Sequence, residues 1–72
     1  MNSNTKVRIV NSKDGRICAR LELEENEGIL EAVKSAAFKI LMKGQGEKVL
    51  TYERFNTLIR DWVPFGGIRG SL

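Results

Sequence analysis

Histidine is absent from this 72-residue chain, and cysteine occurs once, at Cys18. That removes imidazole as acid, base or metal ligand, and a single thiol can form neither an intrachain disulfide nor a cysteine-built metal site. No general base or oxyanion arrangement accompanies Cys18 in the sequence. The carboxylates Glu24, Glu25 and Glu27 lack the spacing of a calcium loop. Gly44-Gln45-Gly46-Glu47-Lys48 lacks both the gap between glycines and the hydroxyl residue after lysine that a phosphate loop requires. No enzyme activity, cofactor, metal or small-molecule substrate is therefore expected.

The remaining chemistry is recognition by charge and by apolar surface. Lys6-Val7-Arg8-Ile9-Val10 and Arg16-Ile17-Cys18-Ala19-Arg20-Leu21-Glu22-Leu23 flank the turn-forming run Asn11-Ser12-Lys13-Asp14-Gly15. A three-residue loop, with a type I turn closed by Gly15 in the left-handed conformation, pairs Ser12 with Arg16. Val7 then meets Leu21 and Ile9 meets Ala19 on one face, while Arg8 meets Arg20 on the other, where Lys6 can pair with Glu22. Like charges placed directly opposite cost up to about 1 kcal/mol, so the outer face invites an anionic partner. A two- or four-residue loop would move the two arginines apart. Lys6, Arg8, Arg16 and Arg20 form the first candidate partner-binding set, with Val10, Cys18 and Glu22 beside them.

The elements that must position these residues follow from periodicity. Residues 1–5 read as a frayed polar tail, and the hairpin spans about 6–24. Asn26 is a helix N-cap candidate, and Ile29, Leu30, Val33, Ala36, Ala37, Ile40 and Leu41 share one helical face over about 27–43. Glu27 and Glu31 near its start and Lys39 and Lys43 near its end suit the macrodipole, and Gly44 terminates it. Tyr52, Phe55, Leu58, Ile59, Trp62 and Val63 share a helical face too, after a Thr51 cap and before Pro64, which predicts a second helix with Tyr52 and Trp62 in the core. The expectation is one small α+β domain over residues 1–72: an antiparallel hairpin followed by two helices (ββαα), with a glycine-rich tail at 64–72. Val49-Leu50 or residues 65–68 are candidates for a short third strand. The expected core takes Val7, Ile9, Ile17, Ala19, Leu21 and Leu23 from the hairpin.

Phe38 and Met42 lie off the main stripe of the first helix, one turn apart. Such a helix is covered on its second side by its own chain, here by Phe65 and Ile68 from the tail, or by another molecule. These four residues form the second candidate partner-binding set. At the level of topology the expected order resembles ribbon-helix-helix repressors, with Arg16, Cys18 and Arg20 alternating on an exposed strand. The chain departs from that pattern in supplying its own first strand, a long first helix and a longer connector.

Charge is polarised: residues 1–20 carry five bases against Asp14, and residues 22–31 carry five glutamates and no base. Such polarity steers charged partners or aligns protomers. No apolar run reaches the length of a membrane span, and the N-terminus carries no signal segment, so no membrane association and a cytoplasmic location are expected. The first functional expectation is a small regulator or inhibitor, of the compact kind that viral genomes encode, acting by contact with a protein or with itself as a homodimer. The alternative is a dimeric nucleic-acid-binding regulator using the basic hairpin face.

Overall fold

Apolar residues alternate with charged ones on both sides of the first turn, and the two runs pair as their period of two requires. The computed structural model describes residues 4–24, 28–44 and 46–70. Its elements are β1 (Asn4–Asn11), β2 (Ile17–Glu24), α1 (Ile29–Met42), β3 (Lys48–Asn56) and β4 (Asp61–Gly70). The strands form one antiparallel sheet in the order β2-β1-β3-β4.

The predicted pairs Val7–Leu21, Arg8–Arg20 and Ile9–Ala19 are all present. They are reached by a different route. Gly15 is left-handed (φ 75°), but Asn11 donates its N–H to the Arg16 carbonyl at 2.8 Å. The loop is thus one residue longer than the expected three-residue loop, closed by Asn11 and Arg16, and Val10 faces Ile17. Cys18 then forms a bulge that absorbs the extra residue and restores the register at Ile9–Ala19. The bulge also turns Ile17 out of its expected core position, leaving it 40% exposed.

The expected second helix does not form, and the ββαα order is replaced by ββαββ. Residues 48–70 make a second hairpin, so both candidate third strands exist, within β3 and β4. The stripe that suggested a helix also fits a strand with period two: Leu50 and Tyr52 are buried beneath α1, while Thr51, Glu53 and Phe55 point to the other face. Leu58 and Ile59, which a helix would have buried, lie in the loop between the strands at 93% and 61% exposure. Asn56 starts that loop by accepting the Leu58 N–H at 2.9 Å, and Arg60 completes it in the left-handed region (φ 54°). Pro64 ends no helix; it sits on the sheet edge, where its missing N–H breaks no bond within the sheet. The glycine-rich segment is strand through Gly70, and Asn4 and Thr5 belong to β1. With the second helix gone, the topological likeness to ribbon-helix-helix repressors falls as well. Cys18 at the bulge also breaks the alternation it required.

Helix α1 covers one face of the sheet. Val33, Ala37 and Leu41 pack on Val7, Ile9, Leu50 and Tyr52, all buried. Ala19, Leu21, Leu23, Ile29, Ala36, Ile40 and Ile68 close around them, partly buried. The expected Asn26 cap lies outside the described residues. At the other end Lys48 Nζ donates to the Ile40 carbonyl (3.3 Å), placing a cation on the negative end of the helix. Close strand packing fixes Gly67, because a Cβ there would stand 2.6 Å from the Leu50 carbonyl oxygen.

Two predictions follow from this packing. Gly67→Ala should lower stability by about 1–3 kcal/mol in urea unfolding, since backbone and not a flexible side chain must yield. The Tyr52 hydroxyl is buried without a hydrogen-bond partner among the described residues, and desolvation raises its pKa above the ordinary 10.0. Tyr52→Phe should therefore stabilise the fold by about 1 kcal/mol near neutral pH. The native phenol resists ionisation, so its contribution to stability is complete below pH 10 and is lost as pH rises from there through the raised folded value. The Phe variant should lack that alkaline component, read as the difference between the two stability–pH curves.

Candidate interaction surfaces

With one helix on a four-stranded sheet, the face opposite α1 has no covering layer among the described residues. Strand alternation sends Lys6, Arg8 and Val10 from β1 to this face, together with Arg20 and Glu22 from β2. Thr51, Glu53 and Phe55 come from β3, and Trp62 from β4. The register makes Arg8 the centre of a cross-strand row, with Arg20 on one side and Glu53 on the other.

Arg8 is already occupied. Its Nε donates to Glu53 Oε1 at 2.6 Å, and both side chains are more than three-quarters buried. Its guanidinium also lies 4.3 Å from the centroid of the Trp62 ring, which reaches across β3. Trp62 in turn packs edge-on against Phe55, with ring centroids 5.3 Å apart. Trp62 and Phe55 therefore belong to a small platform on the open face. The expectation of Trp62 in a helix core is corrected; Tyr52 alone is in the core. Sequence reasoning missed Glu53, because it was assigned to a helix and its strand partner was unknown.

Of the remaining members of the basic set, Lys6 and Arg20 lie beside one another and Arg16 stands apart. Lys6 faces Glu22 across the strands, as expected, and Glu22 accepts a hydrogen bond from Asn4 Nδ2 at 3.3 Å. Arg16 stands at the turn end, 3.9 Å from Asp14. Arg20 is exposed and makes no ion pair among the described residues. A shallow depression of about 350 Å³ beside it is lined by Lys6, Arg20, Glu22 and Trp62 among others. The face is thus mixed in sign.

The second set is also divided. Ile68 packs against the core, and Phe65 lies against Tyr52 with ring centroids 6.0 Å apart. Phe38 and Met42 stay 59% and 60% exposed, so the described part of the tail, through Gly70, does not cover them. Sequence reasoning overlooked Leu30, Leu58, Ile59 and Val63 as surface residues; all four are exposed. Cys18 is exposed, with the Arg16 carbonyl within hydrogen-bonding reach at 3.8 Å from Sγ. Among the described residues no group of three or more Cys, Asp or Glu side chains is placed to hold a metal ion, and no helix is long and apolar enough to cross a membrane.

Glu53→Gln should reduce stability by about 1–2 kcal/mol, because Arg8 would keep its desolvation but lose its countercharge. Trp62 is the chain's one tryptophan and sits on Arg8, so urea unfolding followed by its fluorescence reads the effect. A midpoint equal to the parent's would show that the pair contributes nothing.

No family model, curated protein or solved structure matches this chain, so the meaning of its surfaces rests on their own geometry and chemistry.

Proposed function

We propose that this chain is a non-enzymatic binding module that regulates a protein partner by occupying its surface. The exposure of Phe38 and Met42 on α1 carries this reading. A well-packed small domain gains by burying such side chains, and here the candidate covers, Phe65 and Ile68, are engaged elsewhere. An aromatic residue beside a methionine offers a large and adaptable contact. Leu58 and Ile59 extend the supply of exposed apolar side chains to the tip of the second hairpin.

The nucleic-acid alternative finds less support. Its central side chain, Arg8, is held by Glu53 and Trp62, and Glu22 stands opposite Lys6. A phosphate backbone approaching this face would meet carboxylates as well as bases.

The experiment is affinity capture from the native cell with the parent chain and two variants, with and without nuclease. Phe38→Asp should lose the captured protein while remaining folded by circular dichroism, and Arg8→Ala with Arg20→Ala should retain it. Nuclease should change nothing. Capture that survives Phe38→Asp, or that disappears with nuclease, rejects the proposal.

A further inference from the structure

An antiparallel sheet of this kind has two edges, and they are not equivalent. The backbone bonds can be followed across it from one contact: the Ser12 N–H donates to the Val49 carbonyl at 2.8 Å. Bonding alternates along an antiparallel pair, so even-numbered residues of β1 bond β3 and odd-numbered ones bond β2. Thr5, Val7 and Ile9 therefore exchange bonds with Leu23, Leu21 and Ala19. That leaves the N–H and C=O groups of Arg20 and Glu22 pointing outward from the sheet.

The β4 edge is blunted over Trp62–Phe65, whereas Gly67 and Arg69 beyond it also point their backbone groups outward and carry no oppositely charged pair of neighbours like Arg20 and Glu22. The Trp62 N–H is taken by the Asp61 carboxylate at 2.8 Å, Pro64 has no N–H, and Phe65 forms a bulge. Beyond its bulge at Cys18, β2 carries none of these devices from Ala19 to Leu23.

We propose that this β2 edge pairs with the β2 edge of a second copy, antiparallel about a two-fold axis through Leu21, making one continuous sheet from two. Charge complementarity selects the register. A two-fold axis at Leu21 sets each Arg20 opposite Glu22 of the other copy, and these are the residues whose backbone groups point outward. An axis at Arg20 would oppose two arginines, and an axis at Glu22 two glutamates. On the helix side the same register sets Leu21 against Leu21 and Ala19 against Leu23, small against large, and further buries three half-exposed members of the core rim. Arg20 faces Arg8 within its own chain, and Arg8 already has Glu53. The second copy supplies the carboxylate that Arg20 lacks among the described residues of its own chain. This surface lies apart from Phe38 and Met42, so the inference stands or falls independently of the partner-binding reading.

Sedimentation equilibrium over a wide concentration range tests it on the full chain. The parent should be a reversible dimer. Arg20→Glu or Glu22→Arg alone should weaken the dimer about tenfold or more, because symmetry places the like-charge pair twice. The combined exchange R20E/E22R should restore it, an outcome that general loss of folding cannot produce. Glu22→Pro removes the outward N–H together with the carboxylate, breaks no backbone bond within the sheet, and should give a monomer that keeps the parent's circular dichroism. A parent that stays monomeric at every concentration overturns the proposal. So does a dimer that resists both single reversals, or one that dissociates on Phe38→Asp while ignoring Arg20→Glu.

Discussion

The antiparallel pairing of β1 with β3 is the joint on which this molecule depends. Each hairpin alone is a two-stranded ribbon, and such ribbons are marginal in water. Joining them through Val7–Arg54 to Asn11–Leu50 closes a long stretch of chain and so carries a substantial entropic cost. What offsets that cost is arranged on both faces at once. Beneath the helix, Ile9 lies opposite Tyr52 with Val7 and Leu50 beside them. On the open face, Arg8 meets Glu53 and lies against Trp62. Helix α1 then seals one side with Val33, Ala37 and Leu41.

A sheet covered on only one side leaves the molecule with more surface chemistry than its size suggests. The open face is a mixed platform in which an arginine, a glutamate and two aromatic rings satisfy one another. That mutual satisfaction diminishes its value for phosphate contact and raises its value as a rigid layer. The large apolar side chains left exposed lie on α1, at the tip of the second hairpin, at Val63 and Phe65 of β4, and at Ile17 beside the bulge. Exposed edges add a further kind of reactivity, backbone pairing, which β4 suppresses over Trp62–Phe65 and β2 leaves open from Ala19 to Leu23.

The bulge at Cys18 shows how local details can cancel. The first loop is one residue longer than its turn residues suggest, and such a slip should send every later side chain to the opposite face. One extra residue in β2 undoes the slip within three positions, at the expense of Ile17, which leaves the core. Burial of Ala19, Leu21 and Leu23 beneath the helix demands that correction. The Arg8–Arg20 opposition survives because the apolar face sets the register.

Residues alone determined the first hairpin, the left-handed Gly15 and the amphipathic helix, since each rests on short-range periodicity or turn chemistry. They also marked Phe38 and Met42 as surplus to the helix's main face. The Arg8–Arg20 pair, which a three-residue loop predicts, is reached instead through a longer loop and the Cys18 bulge. The fate of residues 48–70 was settled only in three dimensions. Tyr52, Phe55, Leu58, Ile59, Trp62 and Val63 satisfy a helical period locally, while β-branched and aromatic residues in the same run satisfy a strand. The free edge of β1, with backbone groups to pair and an apolar row to continue, decided for strand. Once that was decided, Glu53 came beside Arg8, Trp62 moved from an expected core to the open face, and Leu58 and Ile59 became surface. The candidate surfaces are thus legible in sequence where they belong to α1 and β1–β2, and illegible where they depend on which strand lies next to which.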